Sequence, residues 1–139
     1  MDAFVAKLNA ADGALIWAKV FGDSEDQMGT GVAVDPNTHH VFFTGTFAGE
    51  LSLSPQMTLS VTEPGMQKVF VAELDENGGL VDARAFEGPE PIAVRVVRIA
   101  VDNASIYLGG LWSAQLDFGN GKILSGTSVD GFVARFARQ

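Results

Sequence analysis

The chain has 139 residues, 9 Lys+Arg against 17 Asp+Glu for a net charge of −8, 47% hydrophobic residues and no cysteine, which fits one globular domain of ordinary size. Disulfide scaffolds, cysteine-ligated zinc and thiol catalysis are excluded. An acidic balance without a Lys/Arg cluster speaks against nucleic acid and anionic membranes as partners, because both require concentrated positive charge, and no apolar run approaches the roughly 18 residues of a membrane helix.

The first segment with strand character is Phe4-Val5-Ala6-Lys7-Leu8. Phe, Ala and Leu share one parity and Val and Lys the other, a period of two. After the turn residues Asn9 to Gly13 comes Leu15-Ile16-Trp17-Ala18-Lys19-Val20-Phe21, then an acidic loop, then Val32-Ala33-Val34-Asp35. A second turn, Asp35-Pro36-Asn37-Thr38, leads into Val41-Phe42-Phe43-Thr44-Gly45. The series then begins again. Phe70-Val71-Ala72-Glu73-Leu74 repeats the first segment at a spacing of 66, and Phe132-Val133-Ala134-Arg135-Phe136 repeats it once more after 62. Leu80 to Phe86 follows Leu15 to Phe21 at 65, Ile99-Ala100-Val101-Asp102 follows Val32 to Asp35 at 67, and Ile106-Tyr107-Leu108-Gly109-Gly110 follows Val41 to Gly45 at 65. Sixteen glycines and ten phenylalanines suit short apolar strands joined by tight turns, and no stretch of a dozen residues keeps a helical period.

The reading is therefore all-β, in units of four short antiparallel strands: one repeat over about 2–66, a second over about 67–128, and the first strand of a third over 129–139. Phe4, Phe70 and Phe132 are expected at equivalent buried positions. The charged position of this strand, occupied by Lys7, Glu73 and Arg135, is expected only to reach water. Asp35 and Asp102, recurring at the same strand-to-turn junction, are expected to cap turn N–H groups.

Asp2 to Leu8, Gly13, Trp17-Ala18, Phe21-Gly22, Asp26, Gly31 to Asp35 and Val41 to Gly45 together resemble the SBBP-type β-propeller repeat of bacterial, often secreted or cell-surface, proteins. The resemblance implies β-propeller-like blades, with the Val-Ala-Val-Asp strand innermost and the Trp-bearing strand outermost. On that order the chain supplies strands three and four of one blade, a complete blade from about Thr30 to Phe86, and strands one to three of another. It also implies a scaffold or binding surface in a secreted or cell-surface parent. Nine strands make two blades plus one, and open sheet edges are covered in natural proteins. Further copies of the chain, missing blades of a parent protein, or two sheets packed on each other would complete it.

Residues suited to chemistry are few. His39 and His40 are adjacent, so on a strand they would face opposite ways and would not chelate one ion; they read as turn residues, with a hydrolase site on ester or phosphoester substrates as the alternative. No serine lies in a nucleophile elbow. Asp23, Glu25 and Asp26 form an acidic loop that reads as solvated, with a divalent cation as the alternative. Trp17, replaced by Asp82 in the second copy, is a candidate exposed anchor for a small-molecule or protein ligand. Arg95 and Arg98, absent from the first copy, suit an anionic group near the start of the innermost strand. The resulting expectation is a non-catalytic scaffold or binding module.

Overall fold

The computed structural model describes residues 1–86, 96–113, 115–119, 123–126 and 128–138. Its strands are β1 (Ala3–Leu8), β2 (Leu15–Phe21), β3 (Gln27–Val34), β4 (Val41–Phe47), β5 (Glu50–Ser54), β6 (Met57–Ser60), β7 (Lys68–Leu74), β8 (Leu80–Phe86), β9 (Val96–Val101), β10 (Ser105–Trp112), β11 (Gln115–Asp117), β12 (Ile123–Ser125) and β13 (Asp130–Ala137). No helix occurs among the described residues, and the fold is all-β with antiparallel pairing.

Three sheets carry the repeat. β1 and β2 form a two-stranded sheet, β3-β4-β7-β8 a four-stranded one, and β9-β10-β13 a three-stranded one. The nine strands read from the sequence are these nine, and the register repeats as well: Gly45 lies opposite Phe70 in the central sheet and Gly110 opposite Phe132 in the C-terminal sheet. Two short hairpins, β5–β6 and β11–β12, are additional. Their signal was the alternation of Leu51 and Leu53 with Ser52 and Ser54, which the long repeat spacing left unread; Leu51 and Leu53 are buried.

The central sheet is covered on both faces. Phe43, Phe47, Phe70, Ala72 and Leu74 pack with Val5 and Phe21 of the N-terminal sheet, while Phe42, Val69 and Val71 pack with Val97, Ile106, Leu108 and Phe132 of the C-terminal sheet. β-Branched and aromatic residues in β4 and β7 suit a strand buried on both sides. Each fully buried phenylalanine contributes about 2 kcal/mol of transfer free energy. Two aromatic contacts join neighbouring sheets: Phe21 stacks on Phe43 with centroids 5.2 Å apart, and its counterpart Phe86 stacks on Phe136 at 4.8 Å. Gly45 is required by close approach, since a Cβ there would lie 1.8 Å from the Met28 carbonyl oxygen.

Two expectations are corrected. Phe70 and Phe132 are 0% and 7% exposed, but Phe4 is 71% exposed. Phe70 is covered by the neighbouring N-terminal sheet, but no sheet among the described residues packs on the equivalent face of β1, so its Phe-Ala-Leu parity faces solvent and the Val parity carries the packing. Nor does the charged position merely reach water. Glu73 is buried, Lys7 donates to the Glu76 carbonyl at 2.9 Å, and Arg135 donates to Ser105 Oγ at 2.8 Å. The sheets do not close on one another among the described residues.

Candidate functional site

Among the described residues, a group of ionisable side chains gathers where two equivalent turns meet the last strand. The β3–β4 turn is held by Asp35: Oδ1 accepts the Asn37 N–H at 2.8 Å and Oδ2 accepts the Thr38 hydroxyl at 3.0 Å. The β9–β10 turn repeats the device, with Asp102 Oδ1 accepting the N–H groups of Ala104 and Ser105 at 2.8 and 2.7 Å. Both carboxylates cap turns as the recurrence implied. Asn37 Nδ2 donates to Asn103 Oδ1, tying one turn to the other.

Arg138 joins the turns to the central sheet. Its guanidinium donates to Asp35 Oδ2, to Glu73 Oε1 at 3.1 Å and to the Asp102 carbonyl at 3.1 Å, and it lies 4.8 Å from the centroid of the Phe42 ring. Glu73 Oε1 is also 2.7 Å from His40 Nδ1. The Arg138 guanidinium and the Asn37 N–H hold the Asp35 carboxyl well below the usual carboxylate range. Backbone N–H of Ala104 and the Tyr107 hydroxyl lower that of Asp102. Arg138 was not legible as a site residue, because its counterparts in the earlier copies are Ala10 and Glu76 and no recurrence marks it.

The two histidines separate. His39 is exposed, with φ of 58°, in the left-handed region a tight turn demands. His40 is half-buried against Glu73. A carboxylate orients the imidazole as in general-base sites, but among the described residues no serine or threonine hydroxyl hydrogen-bonds either ring. Asp23 spends both oxygens on the loop itself: Oδ1 accepts from the Glu25 N–H at 2.7 Å and Gln27 Nε2 at 2.6 Å, and Oδ2 accepts from the Glu50 N–H at 2.7 Å. The Glu25 N–H bond is the main cause of its lowered pKa. Asp26 pairs with the N-terminal amine at 2.8 Å. Among the described residues no three acidic or imidazole side chains gather so as to hold a metal ion.

Trp17 is engaged within the molecule. Its Nε1 donates to the Glu76 carbonyl at 3.0 Å, and its ring lies against Gly78 in the β7–β8 turn. Arg95 lies outside the described residues. Arg98 is exposed and donates to the Thr30 carbonyl at 2.6 Å, while Thr30 Oγ1 donates to the Val97 carbonyl at 2.9 Å. Thr30 is free to do so because the β3–β4 register steps between Gly29 and Gly31. Arg98 also stands at the rim of a groove of about 650 Å³ that runs between β1 and β3, floored by Val5 and Phe43 and walled by Phe4, Met28 and Val32.

No protein-family model matches the chain, and no curated protein matches it significantly. The resemblance to the SBBP-type repeat rests on the residues quoted for it. Among the described residues, no helix is long and apolar enough to cross a membrane.

Proposed function

We propose that this chain is a non-catalytic scaffold or binding module of the β-propeller type, its three sheets being successive blades of an SBBP-like array. One observation carries the reading: the same two faces meet twice. The Val5 face of the N-terminal sheet packs on the Phe70 face of the central sheet, and the Val71 face of the central sheet packs on the Phe132 face of the C-terminal sheet. One face of each kind is left over. Phe4, 71% exposed, belongs to the same kind of face as Phe70 and Phe132, and Val133, 82% exposed, to the same kind as Val5 and Val71. Large apolar side chains exposed together mark a surface that packs against something, here further copies of the chain or further blades of a parent protein, in the bacterial secreted or cell-surface setting that the resemblance implies.

The polar cluster around Arg138 serves this reading as a clamp between sheets. A hydrolase built on His40 is the competing reading, favoured by the His40–Glu73 pair alone. Purified protein is assayed against small ester and phosphoester substrates, with and without chelator, beside the variant carrying His39→Asn and His40→Asn. The scaffold reading expects no turnover from either protein. Turnover that falls about 10²-fold or more in the double variant, the size of a general acid-base contribution, would replace it with the hydrolase reading.

A further inference from the structure

Resting on the blade reading above, we infer that the groove beside β1 is the seat of a β9–β10 hairpin from a second copy of this chain, whose β10 pairs with β1 in place of its own β13. The groove lies along the one edge of β1 that has no partner, since β2 occupies the other. Beside it, Val32 and Val34 of β3 are 61% and 55% exposed. Their counterparts one repeat later, Ile99 and Val101, pack against the buried cluster between the central and C-terminal sheets. What the groove lacks is thus the first and second strands of the N-terminal sheet, and the chain makes strands of that type in β3–β4 and β9–β10.

Of these, β4 is held between β3 and β7 within a complete sheet, whereas β10 is paired on its outer side by β13 alone. β13 and β1 are interchangeable in sequence: Asp130, Phe132, Ala134 and Phe136 correspond to Asp2, Phe4, Ala6 and Leu8. Replacing β13 by β1 of another copy preserves the register in which Phe132 faces Gly110 and Arg135 faces Tyr107, so Phe4 would face Gly110 and Lys7 would face Tyr107. The ladder lost is nearly the ladder gained. The surplus comes from β2, which arrives with β1 as a fourth strand and brings Ile16 and Val20, 55% and 69% exposed and on the same face as Phe4, against the central sheet of the copy that supplies the hairpin. A strand exchanged for its own repeat is a low-cost route to association. Each copy then contributes two complete four-stranded sheets, so that two copies close on four blades and three copies on six, within the range of known rings. Arg138 opposes the exchange, because it fastens the end of β13 to Asp35 and Glu73 and its counterpart after β1 is Ala10.

The chain has no cysteine of its own, so single-cysteine variants report contacts cleanly. Full-length Lys7→Cys protein is mixed with full-length Tyr107→Cys protein at high concentration and treated with a short bismaleimide. The exchange expects a heterodimeric cross-link, absent when Tyr107→Cys is replaced by Leu111→Cys, four residues out of register. Adding Arg138→Met to both chains should raise the cross-linked fraction about 10-fold at limiting concentration, the clamp being the barrier removed. The cross-link is also read on chains that keep Arg138, so the outcome does not depend on that variant folding. A cross-link between Phe4→Cys and Val133→Cys chains without one between Lys7→Cys and Tyr107→Cys chains would overturn the exchange and leave face-to-face self-association standing. No cross-link and a monomer at every concentration would overturn the exchange and remove the second copy as the occupant. Failure of the scaffold reading itself is read separately, in the hydrolysis assay.

Discussion

β1 and β7 carry nearly the same five residues and live in different surroundings. In β7 every residue from Val69 to Leu74 is buried, whereas in β1 only Ala3 and Val5 are. The strand's conformation is the same in both, set by alternation and β-propensity. What differs is the neighbour on each side: β7 sits in a sheet sandwiched between two others, and β1 has a sheet on one face and solvent on the other. Burial in this repeat is a property of position in the stack and not of the strand's own sequence.

The sharpest way to break that comparison is to truncate the same residue in both places. Phe70→Ala should cost about 4 kcal/mol, for it removes a fully buried ring that contacts Phe43 and Phe47. Phe4→Ala should change the monomer's stability by less than about 0.5 kcal/mol. Chemical denaturation at low protein concentration measures both; equal losses would show that β1 is packed on its outer face as well. Gly45→Ala should cost about 3 kcal/mol, because the added methyl meets the Met28 carbonyl inside the central sheet.

The junction of the central and C-terminal sheets offers the next test. Arg138→Met should cost about 2 kcal/mol by leaving Asp35 and Glu73 without their cation. The Asp35 carboxyl is lowered from 3.8 in the folded chain, so the stability it supplies is fully present above that value and is lost as pH falls toward its lower folded value. Acid unfolding followed by tryptophan fluorescence should show this loss below about pH 4 in the unaltered chain, with a shallower dependence in Arg138→Met. The smallest effect is local. His39→Gly should leave stability unchanged or raise it by up to about 1 kcal/mol, since glycine adopts the left-handed turn conformation without strain.

The repeat, the nine principal strands and their grouping were legible because alternation and turn residues act locally and recur at fixed spacing. The capping roles of Asp35 and Asp102 were legible for the same reason. The hairpins β5–β6 and β11–β12 are short, and their three- to five-residue strands leave little pattern to read. The charge cluster escaped because its members come from three distant places: Asp35 and His40 from one turn, Glu73 from the end of β7 and Arg138 from beyond β13. Trp17 looked like an anchor because it does not recur, and only the packing of sheet on sheet brought the Glu76 carbonyl within reach of its indole.

What the sequence determined by itself is the kind of strand, its faces and the order in which strands return, all consequences of the two-residue period of an extended chain and of turns that particular residues favour. The tertiary structure alone decided which copies of that strand are covered. A face is buried only when another sheet lies against it, and the stack places a sheet before Phe70 and before Phe132 but none before Phe4.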